Sequence, residues 1–326
     1  MNESKTLEGL IGPADSTRIH EALKRGASRR DVLTMLMAGG MQAALAGGIA
    51  TVAAGAHAAE TPKKGGRIKV AGATAAVSDT LDPAKQSNHT DYIRGFMFYN
   101  GLTYLDGSLT PQPSLAEEFT TTDAKTWVFK LRKGVTFHDG KPLTPQDVIF
   151  SIMRHKNPAT GSKAKVLADP IDEVVATGPN EVTIRLATPN ADLPVVLGTY
   201  HFHIVKDATI DFNAGIGTGP YKVKEFRPGV RSVAVRNDNY WKPNRPYVDE
   251  IEYIGIGDET TRINALLTGD LDLVGSVNPR SIDRITASGT HAVYETKAGT
   301  YTDLVVRLDT APGNNPDFVK AFKYLF

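Results

Sequence analysis

Residues 126–148 read TWVFKLRKGVTFHDGKPLTPQDV and carry the local signals that decide the fold. Within them, residues 126–131 alternate polar and apolar side chains, which predicts a strand with one buried face. The aromatic rings of Trp127 and Phe129 fall on the same side of that strand. We therefore expect both rings to fill a core beneath it.

Two turn signals and a helix start follow this strand. Residues 133–134 (KG) and 139–140 (DG) predict turns on either side of a second short strand at 135–137, which would form a hairpin with the first. Residues 144–147 (TPQD) predict the start of a helix. They supply a threonine that can cap, a proline suited to the first helical position and an aspartate favoured at the positive end.

Strand and helix signals continue along the chain without a strict β–α alternation. Predicted strands lie at 67–71, 181–186, 248–256 and 270–274, a hairpin joins 221–226 to 232–236, and helices span 92–102 and 259–267. This order predicts an α/β fold with mixed sheets rather than a doubly wound parallel sheet.

Composition and charge are those of an ordinary globular protein. The chain has 326 residues, of which 41% are hydrophobic and 22% are charged, enough apolar material for a sizeable core. The formal net charge is +1, and beyond residue 58 the basic and acidic residues balance at 31 each. This balance argues against a nucleic-acid partner. The lack of cysteine excludes disulfides, thiolate catalysis and cysteine zinc sites.

Residues 1–58 are predicted to be a signal peptide of the twin-arginine type. Arg29 and Arg30 precede an uncharged stretch, 32–59, that is rich in alanine and glycine. It ends in a small-residue pattern that favours cleavage after Ala58. A membrane anchor is the alternative, because the stretch is long enough to span a bilayer, although its five glycines dilute it. We expect a soluble, periplasmic protein after cleavage.

Common catalytic motifs are absent from the sequence. There is no phosphate-binding Gly-x-x-x-x-Gly-Lys, no dinucleotide fingerprint, no Gly-x-Ser-x-Gly elbow and no His-Glu-x-x-His. We predict a protein that is not an enzyme and needs no cofactor. A secreted hydrolase is the alternative from another class, because catalytic residues scattered along a sequence can still converge in space.

His201 and His203 are the two histidines that lie close together. If their segment is extended, both imidazoles point to the same face and could share one metal. No third ligand stands nearby in the sequence, so we predict no metal site and interpret the pair as polar lining. The pair keeps open an alternative ligand class, a nickel or other metal chelate, or haem.

Several blocks stand in a fixed order around residues 126–148. They are LDP at 81–83, LAEEF at 115–119, GTGPY at 217–221, RNDNYW at 236–241, LTGDLDL at 267–273 and YTDLVVRL at 301–308. Their order and spacing resemble those of family 5 of the bacterial extracellular solute-binding proteins, the oligopeptide, dipeptide and nickel type that serves ABC importers. The likeness covers the mature chain from Gly66 onward.

Some residues of these blocks are interpreted as scaffold. We expect Gly217 and Gly219 to adopt backbone angles that other residues avoid, and Pro220 to stiffen the exit. Tyr240 and Trp241 are large anchors that we expect to pack rather than to hold ligand. The blocks therefore identify the fold and do not map the pocket.

The resemblance implies a type II periplasmic-binding-protein architecture with two lobes that close about a hinge. Residues 59–105 and 217–299 would form the main part of the first lobe, 106–216 an inserted subdomain, and 300–326 the start of the second lobe. Family chains continue further, so we expect a C-terminally truncated chain whose second lobe is largely missing. Such a fragment is expected to bind ligand weakly or not at all.

The resemblance also implies a few ligand contacts in the first lobe. The candidates are Val77, Ser78 and Asp79 after the first strand, Tyr200, His201 and Phe202 in a second segment, and Tyr301 near the crossover. Val77 and Ser78 would contribute main-chain groups, because extended peptides are held largely through backbone hydrogen bonds. For each candidate a packing role is the alternative.

The function implied is that of the periplasmic binding subunit of an ABC importer, which captures di- and oligopeptides or similar small solutes. The expected partners are the ligand, the transmembrane subunits of the permease and, during export, the twin-arginine translocase. We expect a monomer. A surface scaffold without a ligand is a further alternative.

Overall fold

The computed structural model describes residues 62–295 and 306–324. Within these ranges the strands are β1 (Arg67–Gly72), β2 (Thr103–Leu105), β3 (Pro111–Pro113), β4 (Ala116–Thr121), β5 (Thr126–Leu131), β6 (Ile171–Gly178), β7 (Glu181–Leu186), β8 (Tyr221–Arg227), β9 (Arg231–Arg236), β10 (Glu250–Gly255) and β11 (Leu273–Val274). The α-helices are α1 (His89–Phe98), α2 (Pro145–Met153), α3 (Lys165–Ala168), α4 (Leu193–Leu197), α5 (Glu259–Leu267), α6 (Pro279–Thr286) and α7 (Pro316–Lys323).

The larger sheet has five strands in the order β11-β1-β10-β9-β8. Strand β1 runs parallel to β10 and β11, whereas β9 is antiparallel to both β10 and β8, so the mixed sheet is confirmed. The strand predicted at 270–274 keeps only its last two residues. The amides of Asp270 and Leu271 instead donate to the Ala265 carbonyl at the end of α5.

The smaller sheet is antiparallel throughout, with the order β4-β5-β7-β6. Trp127 and Phe129 on β5 are 7% and 0% exposed, as predicted. The second strand predicted at 135–137 is wrong, because β5 pairs with β4 and β7 instead. The 135–143 loop closes on itself through Phe137 N to Lys141 O at 2.8 Å and Leu143 N to Val135 O at 3.0 Å.

Each sheet has its own core. Val148 and Ile152 of α2 pack with the buried residues of β5 and β7. Met97 and Phe98 of α1 pack with Tyr253 and other buried residues of the larger sheet. The apolar face of each helix therefore positions it over one sheet.

The two main helices begin where side chains satisfy their first amides. Helix α2 starts as predicted, with the Asp147 carboxylate accepting from the Thr144 amide at 2.7 Å and from its hydroxyl at 2.6 Å. Helix α1, predicted at 92–102, begins earlier because Asn88 Oδ1 accepts from the Asp91 amide at 3.1 Å. It ends at Phe98, since Tyr99 has extended backbone angles.

Gly217 and Gly219 matter for close approach rather than for backbone angle. Neither lies in the left-handed region, so that prediction is wrong. A Cβ at Gly217 would lie 2.1 Å from the Phe98 carbonyl oxygen, and one at Gly219 would lie 2.4 Å from the Phe98 carbonyl carbon. These two glycines let their segment pass directly against the end of α1.

The predicted signal peptide, residues 1–58, lies outside the described residues. In residues 62–295 and 306–324, none of the helices combines the length and apolarity needed to cross a bilayer. The strands of the larger sheet come from 67–72 and 221–274, and those of the smaller sheet from 116–186. The predicted division into a main part, an insertion and a second lobe stays a prediction.

Candidate functional site

The loop after β1 presents two of the three residues proposed there as ligand contacts. Val77 is 92% exposed and Ser78 is also exposed, whereas Asp79 is only 5% exposed. The backbone bends at this point through a hydrogen bond from Asp79 N to Ala76 O at 2.9 Å. Val77 and Ser78 therefore form an exposed loop tip.

The Asp79 carboxylate is committed to holding this loop. One oxygen accepts from the Ala76 amide and from Asn88 Nδ2, both at 3.2 Å. The other accepts from Arg94 Nη1 at 2.8 Å and from the Gly229 amide at 3.3 Å. A carboxylate has about four acceptor positions, so Asp79 supports the loop and offers no free oxygen to a ligand.

Arg94 ties α1 to the same loop. Its side chain is fully buried, and Nη1 also bonds Asp91 Oδ1 at 3.0 Å. The guanidinium lies 5.3 Å from the ring centre of Phe226 and 5.9 Å from that of Tyr253. Burial, and secondly the negative charge of Asp79, raise the pKa of Asp91 to about 6. The loop after β1 thus rests on a rigid charged network.

The second candidate segment forms an aromatic surface with α1. Tyr200 begins a short 3-10 helix, Tyr200–Phe202, and stacks on Tyr92 with ring centres 3.6 Å apart and planes 20° apart. His201 lies 4.5 Å from the Tyr200 ring, and its Nε2 donates to the Gln86 carbonyl at 3.0 Å. All three rings are partly exposed. We call Tyr92, Tyr200 and His201 the aromatic wall.

Two rings of the aromatic wall, His201 and Tyr92, carry no charge near neutral pH. Burial lowers the pKa of His201, and burial followed by the contact with Tyr200 raises the pKa of Tyr92. Both rings are therefore neutral over the physiological range. Such a surface suits apolar or planar parts of a ligand.

Phe202 points away from that surface. It is 1% exposed, and its ring centre lies 4.6 Å from that of His155. Packing against the smaller core explains its position. The ligand contact proposed for the Phe202 side chain has no exposed surface to support it.

His203 also lies in the interior, and its segment is not extended. The imidazole is 4% exposed, edge-on to Phe96 at 5.0 Å and stacked with Tyr99 at 6.3 Å. Burial, and secondly repulsion from His201, lower its pKa to about 3. The condition under which His201 and His203 could share one metal, an extended segment, is therefore not met.

The structure brings some candidates together and leaves others apart. In the described part of the chain, no hydrogen bond, ion pair or ring contact joins Val77 or Ser78 to Tyr200 or His201. No group of three or more His, Cys, Asp or Glu able to hold a metal occurs among the same residues. Tyr301 lies outside the described residues.

Tyr92 is a wall residue that the sequence reasoning missed. It sits in α1 with the periodicity of an ordinary helical residue, and its partner Tyr200 is distant along the chain. No local pattern could have paired them. A search for exposed aromatics on the face of α1 opposite Met97 and Phe98 could have raised it as a candidate.

Comparison with known families identifies the class of protein. The sequence model described as "Bacterial extracellular solute-binding proteins, family 5 Middle" matches residues 110–326. The chain belongs to this family. The resemblance drawn from residues 126–148 and the ordered blocks is thereby confirmed.

Relatives with assigned names are similar over part of their length. A probable peptide ABC transporter periplasmic-binding protein of Sinorhizobium fredii is 28% identical over 215 residues, 60% of this chain and 40% of the relative. The oligopeptide-binding protein AppA of Bacillus subtilis is 30% identical over 193 residues, 54% of this chain and 35% of AppA. The glutathione-binding protein GsiB of Escherichia coli K12 is 28% identical over 198 residues, 59% of this chain and 39% of GsiB.

Solved structures confirm the mixed α/β, type II architecture. The binding protein AgaA of Agrobacterium tumefaciens, in complex with agropinic acid, matches with a TM-score of 0.63 and 27% identity, over 68% of this chain and 46% of AgaA. A nickel ABC transporter structure from Bacillus halodurans matches with a TM-score of 0.61 and 28% identity, over 69% and 46%. The chain spans about half the length of these structures.

Proposed function

We propose that this protein is the substrate-binding subunit of an ABC importer, which captures di- or oligopeptides or similar small solutes and passes them intact to a permease. The observation that carries the proposal is the family match over residues 110–326. The names of the relatives support it, because they are peptide-, oligopeptide- and glutathione-binding proteins. The proposed role is binding and release, without catalysis.

The proposed setting is the periplasm. The leader, with Arg29 and Arg30 and a cleavage pattern at Ala58, supports export through the twin-arginine translocase and removal of residues 1–58. The proposed partners of the mature monomer are its ligand and the transmembrane subunits of the permease. The near-neutral charge of the chain gives no electrostatic reason to add a nucleic acid.

The proposed contact surface consists of two patches. The loop tip at Val77 and Ser78 would offer main-chain hydrogen bonds, and Tyr200 and His201 would offer ring faces. Asp79 and Phe202 would act by supporting these patches, since their own side chains are buried. Tyr301 is proposed as a further contact on the resemblance alone.

A metal chelate is the alternative ligand class that the sequence suggested. The nickel transporter among the structural neighbours supports this alternative. The histidine pair no longer favours it, because His203 is buried while His201 bonds Gln86. Serine–histidine contacts of the kind that a hydrolase needs occur at Ser162–His155 (2.7 Å) and Ser288–His291 (3.1 Å), but His155 is buried and the family matched is one of solute-binding proteins. Peptide capture is therefore the proposal we retain.

Mass spectrometry of the full-length protein, with both lobes that the resemblance implies, incubated with a defined mixture of di- to pentapeptides tests this function. We expect the protein to retain selected peptides, one peptide per protein molecule. These peptides should be recovered uncleaved. Calorimetry with a retained peptide should give saturable binding. Retention of no peptide, or recovery of cleaved peptides, would contradict the proposal.

A further inference from the structure

A second cluster of functional side chains lies around Trp241, apart from the aromatic wall. The Arg132 guanidinium carbon lies 4.8 Å from the Trp241 ring centre. The Lys242 ammonium lies 5.1 Å from the same ring and 4.5 Å from the Tyr104 ring. Arg245, three residues after Lys242, stacks its guanidinium carbon 4.3 Å from the Tyr247 ring centre. We call Arg132, Lys242 and Arg245 the Trp241 cation cluster.

The fold fixes the platform of this cluster. The Trp241 indole Nε1 donates to Asn100 Oδ1 at 2.9 Å, which anchors the ring on the segment that follows α1. Arg132 follows β5, and its Nε donates to the Ser114 carbonyl at 3.2 Å. One side chain from the smaller-sheet region is thus held against a ring from the chain that follows β9. These tertiary hydrogen bonds hold the Trp241 ring and the Arg132 side chain in place.

None of the three cations has an acidic partner in residues 62–295 and 306–324. Some other arginines in these ranges are paired with acids: Arg154 bonds both oxygens of Asp82 at 2.8 Å, and Arg231 bonds Glu225 and Glu252 at 3.0 Å. The Lys242 ammonium donates to no acceptor in the same part of the chain. The cluster is therefore an uncompensated concentration of positive charge.

This arrangement destabilises the charged form of Lys242. Its side chain is partly buried, and burial lowers its pKa, with further lowering by the charges of Arg132 and Arg245. Ring faces attract cations but do not neutralise them. An anion placed among these charges would offset their repulsion and raise the Lys242 pKa.

We infer that the Trp241 cation cluster is a binding site for a small oxyanion, a phosphate or a dicarboxylate. Among the described residues the two terminal nitrogens of Arg132 make no hydrogen bond, and neither do the guanidinium nitrogens of the exposed Arg245, whose flat face stacks on Tyr247. Guanidinium forks match the paired oxygens of carboxylates and phosphates, and Lys242 adds a point charge. The site is separate from the aromatic wall, and the inference does not rest on the proposed transport function.

Trp241 itself reports on this binding. The chain has two tryptophans, and Trp127 is buried in the smaller core. Titration with inorganic phosphate, with malonate in a parallel arm, should therefore change the emission of Trp241 saturably. Sodium chloride at equal ionic strength should give a smaller change without saturation. A stronger response in one arm identifies which oxyanion the site prefers.

Single substitutions test whether the Trp241 cation cluster binds the oxyanion that changes the Trp241 emission. We expect Lys242→Met and Arg245→Gln each to raise the apparent Kd for phosphate about tenfold, the loss expected for one charge-assisted hydrogen bond. Lys163→Met, which removes one exposed lysine elsewhere, should leave it unchanged. Arg245 is exposed, so Arg245→Gln remains informative if Lys242→Met impairs folding. Responses to both phosphate and malonate that equal that of sodium chloride, or a saturable response unaffected by both cluster variants, would overturn the inference.

Discussion

Arg94 shows how single residues of this protein divide between scaffold and ligand surface. Its buried guanidinium bonds Asp79 and Asp91 through one nitrogen, so one cation serves two carboxylates. Two buried negative charges are tolerable only beside such a partner. Asp79, which we predicted to contact the ligand, therefore stabilises the loop that carries Val77.

Arg94→Met should lower the free energy of unfolding by about 3 kcal/mol or more, because it leaves two buried carboxylates without their cation. Urea unfolding followed by circular dichroism measures this. Arg185→Met is the matched control. The Arg185–Glu173 pair is about half exposed, so its loss should cost less than about 1 kcal/mol. Equal losses in the two variants would contradict the assignment of Arg94 as a buried anchor.

His203 makes stability depend on pH. Its native pKa of about 3 lies below the unfolded value of about 6.5. The stabilisation that comes from keeping His203 neutral is therefore complete above pH 6.5. It is lost from the free energy of unfolding as the pH falls towards 3. Between pH 7 and pH 5 this amounts to about 2 kcal/mol.

We expect His203→Phe to reduce the loss of stability between pH 7 and pH 5 by about that amount, since phenylalanine binds no proton. Asp91, whose pKa is raised, contributes in the opposite direction. It does so in both proteins, so it cancels in the comparison. Urea unfolding at the two pH values measures the difference. Parallel pH profiles of the two proteins would show that His203 is not a titrating group of the folded state.

Tyr200 belongs to the aromatic wall and tests the proposed ligand surface. Tyr200→Ala removes a ring face, and we expect it to weaken binding of a retained peptide by about tenfold, the scale of one aromatic contact. Calorimetry of the wild-type and variant proteins with the same retained peptide measures this. Tyr294→Ala is the matched control, because Tyr294 is 91% exposed. Affinity unchanged by Tyr200→Ala, or reduced equally by Tyr294→Ala, would remove Tyr200 from the site.

At the scale of elements, local signals succeeded where a side chain closes its own turn. Helix α2 begins where residues 144–147 predicted, because Asp147 bonds Thr144 within one turn. The strand predicted at 135–137 failed although its composition was suitable. Its amides bond within the loop, and His138 N donates to the Gly217 carbonyl at 2.8 Å. Partners remote in sequence leave no local pattern.

Asp147 joins α2 to the segment that follows the aromatic wall. Its second oxygen accepts from the Asp207 amide at 2.8 Å, in addition to the bonds to Thr144. Asp147→Ala should therefore cost about 2 kcal/mol, more than loss of a simple cap. Asp258→Ala is the matched control, since Asp258 caps only the start of α5, at Thr261, and should cost about 1 kcal/mol. Chemical unfolding measures both, and an equal cost would count against the second role of Asp147.

At the scale of the whole molecule, the smaller-sheet region meets the chain leading into β8. The His138 ring lies between two carbonyls of this chain, with Nδ1 3.2 Å from Gly215 O and Nε2 3.0 Å from Gly219 O. Burial lowers the pKa of His138. The same chain passes against Phe98 at Gly217. One short glycine-rich segment thus contacts both the smaller-sheet loop and the end of α1.

Gly217→Ala should lower the free energy of unfolding by about 2 kcal/mol, because the new Cβ would lie 2.1 Å from the Phe98 carbonyl oxygen and overpack the contact. Gly178→Ala is the matched control. Its Cβ would meet only the Glu181 Cβ, at 3.4 Å, and we expect a change within about 1 kcal/mol. Thermal unfolding measures both. A tolerated Gly217→Ala would show that this close approach is not required.

The sequence by itself determined the family, the mixed α/β class and the elements with strong local periodicity, such as β5 and α5. These follow from patterns that repeat every two or every three to four residues, which a single segment carries. Only the tertiary structure decided that Asp79 is saturated, that His203 is buried and that Tyr92 joins Tyr200. Burial and hydrogen-bond partnership depend on groups brought together from distant parts of the chain, and no local pattern encodes them.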